Sequence, residues 1–184
     1  KKIINKIRPD LLSKKKEKYF LSYCPERVFP GNTLFEIENN PKIIGGINYD
    51  SSIQTKKIIS IINRNTYLTT DRVAETVKLV ENSYRNLQIG FVNELSIFSE
   101  VIKLSNMHPR IHLLKPGIGI GGHCIPIDPY FLINKNQNKF KTLKASIISN
   151  NFKTLWVSKK ILRIIKEKRF KKILLLGLSY KENI

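Results

Sequence analysis

Four glycines and two prolines fall within Gly117 to Phe131, GIGIGGHCIPIDPYF, a density that no helix or strand interior tolerates. The segment has to turn tightly. Its glycines open backbone conformations closed to other residues and let a ligand approach the main chain. Cys124 follows the last of them directly, and Asp128 lies four residues further on. Pro126 suits the first turn of a helix. That would set the Cys124 thiol at a helix N-terminus, where the dipole and free N–H groups stabilise a thiolate. A buried structural cysteine in a tight turn is the other reading of the same residues.

The chain has 184 residues, 41% of them hydrophobic, enough for a packed core. The longest apolar runs, such as Ile173 to Leu176, are far short of a membrane span, and the basic N-terminus lacks the apolar stretch of a signal peptide. No membrane partner is expected, and a cytoplasmic location follows. Cys24 and Cys124 show no metal-ligand spacing, so reduced thiols are expected, with a single bridge between them as the alternative. Pro109 breaks any helix that would align His108 with His112, and no metal is expected there. A net charge of +19 raises the question of nucleic acid. Its distribution answers it: residues 1–18 carry 8 basic and 2 acidic groups and residues 135–172 carry 13 and 1, whereas residues 19–134 are nearly balanced at 11 and 10. Lysine outnumbers arginine 25 to 8, which fits solvated helix faces better than a nucleic-acid interface.

Ile3 to Ile7 read as the end of an amphipathic helix, and Tyr19 to Tyr23 as a short strand running into the loop Cys24 to Gly31. Lys42 to Ile47 is a second strand, and Ser51 to Asn63 a helix capped by Ser51 or Ser52. This order predicts the tail of a parallel α/β sheet. A long helix starts at Asp71, with Val73, Val77, Val80 and Tyr84 at helical spacing and apolar positions continuing to Ile97 as core. Phe140 to Lys168 is another, with Leu143, Ile147, Leu155, Ile161, Leu162 and Ile165 available for burial. Lys172 to Leu178 reads as a fully buried strand that starts a further domain.

Two pairs could carry chemistry. Lys78 and Asn82 sit one turn apart on one helix face, an ammonium and an amide donor able to hold an oxyanion; the same spacing also fits a solvated face. Cys124 and Asp128 combine a nucleophile with a carboxylate that could accept a proton or position water, and Asp128 also fits a plain turn before Pro129.

Four segments, YCPERVFPGN (23–32), AETVKLVENSYRNLQIGFVNEL (74–95), HPRIHLLKPGIGIGGHCIPIDPYF (108–131) and LLLGLSYKENI (174–184), together resemble the UDP-glucose/GDP-mannose dehydrogenase family. The resemblance implies an α/β chain in three parts. Residues 1–68 would be the C-terminal part of an NAD-binding Rossmann-like domain and 69–170 a central helical dimerisation domain with the cysteine loop. Residues 171–184 would start a UDP-binding domain. It also implies NAD-dependent, four-electron oxidation of a UDP-sugar primary alcohol to the uronic acid by a homodimer. In that scheme Cys124 passes through a thiohemiacetal and a thioester. Lys78 and Asn82 brace the oxyanion, Asp128 assists proton transfer and Glu26 serves thioester hydrolysis, with Cys124 and Glu26 also against the cofactor. Lys115, Gly119, Gly121, Gly122, Arg110 and Lys181 fall where the family meets the nucleotide sugar. YCPERVFPG and HPRI favour an N-acetylmannosamine substrate, while CIPID resembles some glucosamine-type members, so UDP-N-acetylglucosamine and UDP-glucose stay as alternatives. The family's G-x-G-x-x-G turn is not present, and Leu95 to His108 is about ten residues shorter than its helix pattern. A degenerate, non-catalytic interaction module is the reading from another class.

Overall fold

The computed structural model describes residues 2–11, 19–28, 31–135 and 139–177, which form two compact units divided between Lys78 and Leu79. The first opens with helix α1 (Lys2–Ile7) and a single 3-10 turn, Pro9–Leu11. Strand β1 (Ser22–Tyr23), helix α2 (Thr33–Asn39), strand β2 (Lys42–Gly46), helix α3 (Tyr49–Ile59) and strand β3 (Thr66–Thr70) follow. β3 runs without a linker into helix α4 (Asp71–Glu94).

The sheet order is β1-β2-β3. β2 and β3 are parallel, in register from Lys42 opposite Thr66 to Gly46 opposite Thr70, because the α3 crossover returns the chain to the same edge. The expectation of an all-parallel tail is corrected at β1, which pairs antiparallel with β2, Ser22 opposite Gly46 and Tyr23 opposite Gly45. Alternating side chains mark a strand without giving its direction, which is set by the connection that follows it. Asn48, rather than either serine, caps α3, its side chain accepting from the Ser51 N–H at 2.8 Å. The two serines are buried and serve the sheet instead: Ser51 Oγ accepts from the Leu21 N–H and Ser52 Oγ from the Gly46 N–H. Ile44 and Ala74, both fully buried, centre this unit's apolar packing.

In the second unit α4 ends in a 3-10 turn, Leu95–Ile97, followed by helices α5 (Ser99–Ser105), α6 (Asp128–Lys135) and α7 (Lys141–Lys168). Leu132 and Ile133 of α6 pack with Leu143 of α7, flanked by Leu79, Leu87, Phe140 and Ile147. The burial expected of the two long helices needs correction. On α4, Val73, Val80 and Tyr84 are exposed, and on α7, Leu155, Ile161 and Leu162 are exposed. The faces that do meet are polar. Asn86, Asn93, Ser146 and Asn150 are buried between α4 and α7, and Gly90 lets the helices close: a Cβ there would lie 2.6 Å from Ser146 Oγ. The strand expected at 172–178 is also corrected. Residues 172–177 form no strand, and Leu174, Leu175 and Leu176 are more than three-quarters exposed. A strand is held by a neighbour's ladder, and no strand among the described residues offers one.

Candidate active site on the Gly117 to Asp128 loop

The glycine and cysteine segment is a loop spanning from Gly117 to Ile127, tied to both long helices by side chains. Gly117 N–H donates to Asn93 Oδ1 at 2.9 Å, and Thr154 Oγ1 donates to the Ile118 carbonyl at 3.1 Å. At the other end Asn86 Nδ2 donates to the Ile125 carbonyl at 3.1 Å and Asn82 Nδ2 to Asp128 Oδ2 at 2.5 Å. Gly122 sits between these ties with φ of 87°, a conformation that favours glycine and turns the chain just before the cysteine.

Cys124 is exposed, which removes the reading of a buried structural thiol. Its carbonyl accepts from the N–H groups of Ile127 at 3.0 Å and Asp128 at 2.8 Å. The expected helix N-terminus at Pro126 is displaced. The segment Ile125–Ile127 closes a turn onto the Cys124 carbonyl instead, and α6 starts at Asp128 with Pro129 in its first turn. Cys124 therefore precedes the helix by one turn, and Asp128 is the acidic residue at its positive end.

Among the sequence-predicted residues the structure thus gathers Cys124, Asp128 and Asn82: Asp128 bonds the Cys124 carbonyl through its backbone and the Asn82 amide through its carboxylate. A bond this short to a carboxylate is charge-assisted and fixes the orientation of the amide. One Nδ2 hydrogen of Asn82 is thereby used, and a carboxamide nitrogen has two. Lys78 is half-buried on α4, one turn before Asn82. Glu26 belongs to the first unit, exposed after β1; its Oε1 accepts from the Arg27 N–H at 2.9 Å and lies 3.8 Å from Lys42 Nζ. Lys115, Gly121 and Arg110 are exposed around the loop's first half, and Gly119 lies against Thr154. Lys181 lies outside the described residues.

Asn86, Asn93, Ser146, Asn150 and Thr154 were not singled out from the sequence, although their spacing carries a signal. Asn82, Asn86, Gly90 and Asn93 recur at four, four and three residues, and Ser146, Asn150 and Thr154 at four and four, each set on one helix face. The two faces interlock: Ser146 Oγ donates to Asn86 Oδ1 at 2.7 Å, Asn150 Nδ2 to Asn86 Oδ1 at 3.2 Å, and Asn93 Nδ2 to Asn150 Oδ1 at 3.1 Å.

The other cysteine offers a contrast. Desolvation raises the pKa of Cys24 above the ordinary thiol value, so less thiolate is present at any given pH. Iodoacetamide should therefore modify Cys24 more slowly than a free model thiol at pH 8, and its half-maximal rate should fall at higher pH; peptide mapping across a pH series checks this. Among the described residues no group of three or more His, Cys, Asp or Glu side chains could hold a metal, and no helix is long and apolar enough to cross a membrane.

The loop thus presents an exposed cysteine on a glycine turn, four residues before a carboxylate held by an amide from a long helix. Residues 72–152 match the central domain of the UDP-glucose/GDP-mannose dehydrogenase family. It is 41% identical over 179 residues to the UDP-N-acetyl-D-mannosamine dehydrogenase of Methanocaldococcus jannaschii, a match covering 92% of this chain and 42% of that protein. Among solved structures it is similar to the UDP-D-ManNAc dehydrogenase of Pyrococcus horikoshii, with a TM-score of 0.81 and 27% identity over 92% of this chain and 42% of that one. The UDP-N-acetyl-mannosamine dehydrogenase of Staphylococcus aureus superposes with a TM-score of 0.79 and 32% identity, covering 98% and 44%. The chain thus spans less than half the length of these relatives.

The family implies NAD. In the first unit only Ile47 and Asn48 connect β2 to α3, and the Asn48 side chain itself occupies the start of that helix. No glycine cradle for a pyrophosphate occurs among the described residues, so they do not make a dinucleotide grip.

Proposed function

We propose that this chain is the catalytic core of a nucleotide-sugar 6-dehydrogenase that oxidises the primary alcohol of UDP-N-acetyl-D-mannosamine to the carboxylate of UDP-N-acetyl-D-mannosaminuronate. The observation that carries the reading is the turn holding Cys124 and Asp128, pinned by Asn82 of α4. NAD, the acceptor implied by the family match, supplies the oxidising power. This chain's residues manage the carbon and its oxygen. The Cys124 sulfur adds to the aldehyde carbon as a thiohemiacetal; at the acid oxidation level the same carbon is held as a thioester, and water then cleaves the C–S bond, returning the thiol. Asn82 and Lys78 donate to the oxygen that gains negative charge, a term worth several kcal/mol in sites of this kind, roughly 2.7–4 for a single donor. Asp128 accepts a proton from the incoming thiol or water, and Glu26 takes part in the hydrolytic step. Lys115, Arg110, Lys181 and the backbone at Gly119, Gly121 and Gly122 are proposed to hold the UDP-sugar, whose phosphates call for cations and exposed N–H groups. The apolar stripe of Val80, Tyr84 and Phe91, exposed on the α4 face opposite its asparagines, is proposed as the homodimer contact. A nucleotide-sugar substrate goes with the cytoplasmic location expected from the sequence.

A chimera tests the reading: this chain replaces the aligned segment of the M. jannaschii enzyme, which it covers over 42% of its length. With UDP-N-acetylmannosamine the expected result is uronate and two hydride equivalents per sugar. UDP-N-acetylglucosamine and UDP-glucose are the competing substrates, and preference for either would reassign the sugar. A folded chimera without turnover on any of them would favour the non-catalytic module.

A further inference from the structure

The tie between Asn86 and the Ile125 carbonyl is not needed to hold the helices together, since Ser146 and Asn150 already satisfy the other end of the Asn86 carboxamide. Asn86 is 2% exposed. Its Oδ1 accepts from Ser146 Oγ at 2.7 Å and from Asn150 Nδ2 at 3.2 Å, donors it shares with its own main-chain carbonyl at 2.9 and 3.2 Å, so α7 faces the oxygen end of the amide. Its Nδ2 is thereby turned toward the loop and donates to the carbonyl of Ile125 at 3.1 Å, the residue next to Cys124. One turn earlier on α4, Asn82 holds Asp128 at 2.5 Å. Successive turns of one helix therefore grip the two ends of the Ile125 to Asp128 turn, the same turn whose N–H groups bond the Cys124 carbonyl.

We propose that Asn86 is a positioning residue for the covalent step: oriented by Ser146 and Asn150, it sets the backbone of Ile125 and thereby the placement of the Cys124 sulfur. The proposal rests on the reading of Cys124 as nucleophile. It acts through geometry, since a displacement of about 1 Å at a reacting atom can cost on the order of a hundredfold in rate.

Asn86→Asp isolates the tie. A carboxylate keeps the acceptor that faces Ser146 and Asn150 and loses the donor that faces Ile125. Ile133→Val, a change in the α6 core far in chemistry from the tie, is the control for lost stability alone. On the 184-residue chain, with neither substrate nor cofactor, hydrogen exchange at the Ile127 and Asp128 amides should accelerate at least about tenfold in N86D and stay within about twofold in I133V. In the chimera, N86D should lower kcat by about tenfold to a hundredfold with KM within about twofold of its parent. Should the buried carboxylate prevent folding, Asn86→Ala takes its place in both measurements. Unchanged exchange, an equal acceleration in the control, or parallel losses in kcat and KM would overturn the proposal. A chimera with no turnover leaves the exchange result to decide the tie, and so separates failure of this inference from failure of the functional reading.

Discussion

Cys124→Ser, placed in the chimera, is expected to lower uronate formation by on the order of a thousandfold or more, because a hydroxyl in place of the thiol is a weak nucleophile toward an aldehyde and a poor partner for an acyl intermediate. The side chain is exposed and carries no packing load, so the variant should melt within a degree or two of the parent, about the range of a neutral surface change. Quantifying uronate and aldehyde-level sugar by chromatography after a fixed time distinguishes loss of the second oxidation from loss of both. Uronate at the parental rate would remove the nucleophile assignment, and with it the covalent route.

The second large effect is expected at Asn82. Truncation to alanine removes the amide donor that the proposed mechanism aims at the developing negative oxygen, and frees the Asp128 carboxylate from its 2.5 Å partner. In sites of this type loss of one such donor lowers kcat by about 10²–10³ while leaving ground-state binding nearly unchanged. Steady-state kinetics of Asn82→Ala in the chimera should therefore show the fall in kcat with KM held within about threefold. A fall below about threefold in kcat would return Asn82 to the role of a tether for α6, which its bond to Asp128 serves in any case.

Much of the frame can be read from residues. The two long helices start and stop close to where periodicity puts them, at Asp71 and at Phe140 to Lys168, and β2 lies where the Lys42 run indicates. The sequence marks Cys124, Asp128 and Asn82 as candidates, and the structure places them together. The interface between the helices is where reading by hydrophobic face fails. Val73, Val80 and Tyr84 trace a stripe that looks like core and is exposed, while the residues between α4 and α7 are asparagines and serines. Buried amides are stable only when nearly every donor and acceptor is matched, and that matching is a property of two helices in register. One helix alone shows only polar residues at helical spacing, which is also how a solvated face looks. β3 escaped notice for a related reason: Thr66-Tyr67-Leu68-Thr69-Thr70 is favourable strand composition, yet its assignment depends on the parallel partner β2. The run at 172–177 shows the converse, apolar residues with no neighbouring strand to bond among the described residues.

The polar seam also explains why the loop can hold an exposed cysteine in one place. Glycine-rich segments lose much backbone entropy on ordering. Here four side chains from two rigid helices, Asn82, Asn86, Asn93 and Thr154, meet the loop at both ends, so the order is imposed from outside its own sequence. The proposed site thereby lies on a turn but is positioned by helices.

The most direct test is peptide-resolved mass spectrometry of the chimera, acid-quenched during turnover with UDP-N-acetylmannosamine and NAD. A sugar-nucleotide adduct on the peptide containing Cys124, lost on completing hydrolysis and absent in Cys124→Ser, is the predicted result. Sustained uronate production with that peptide unmodified at every quench time, or an adduct on another residue that persists in Cys124→Ser, would contradict it.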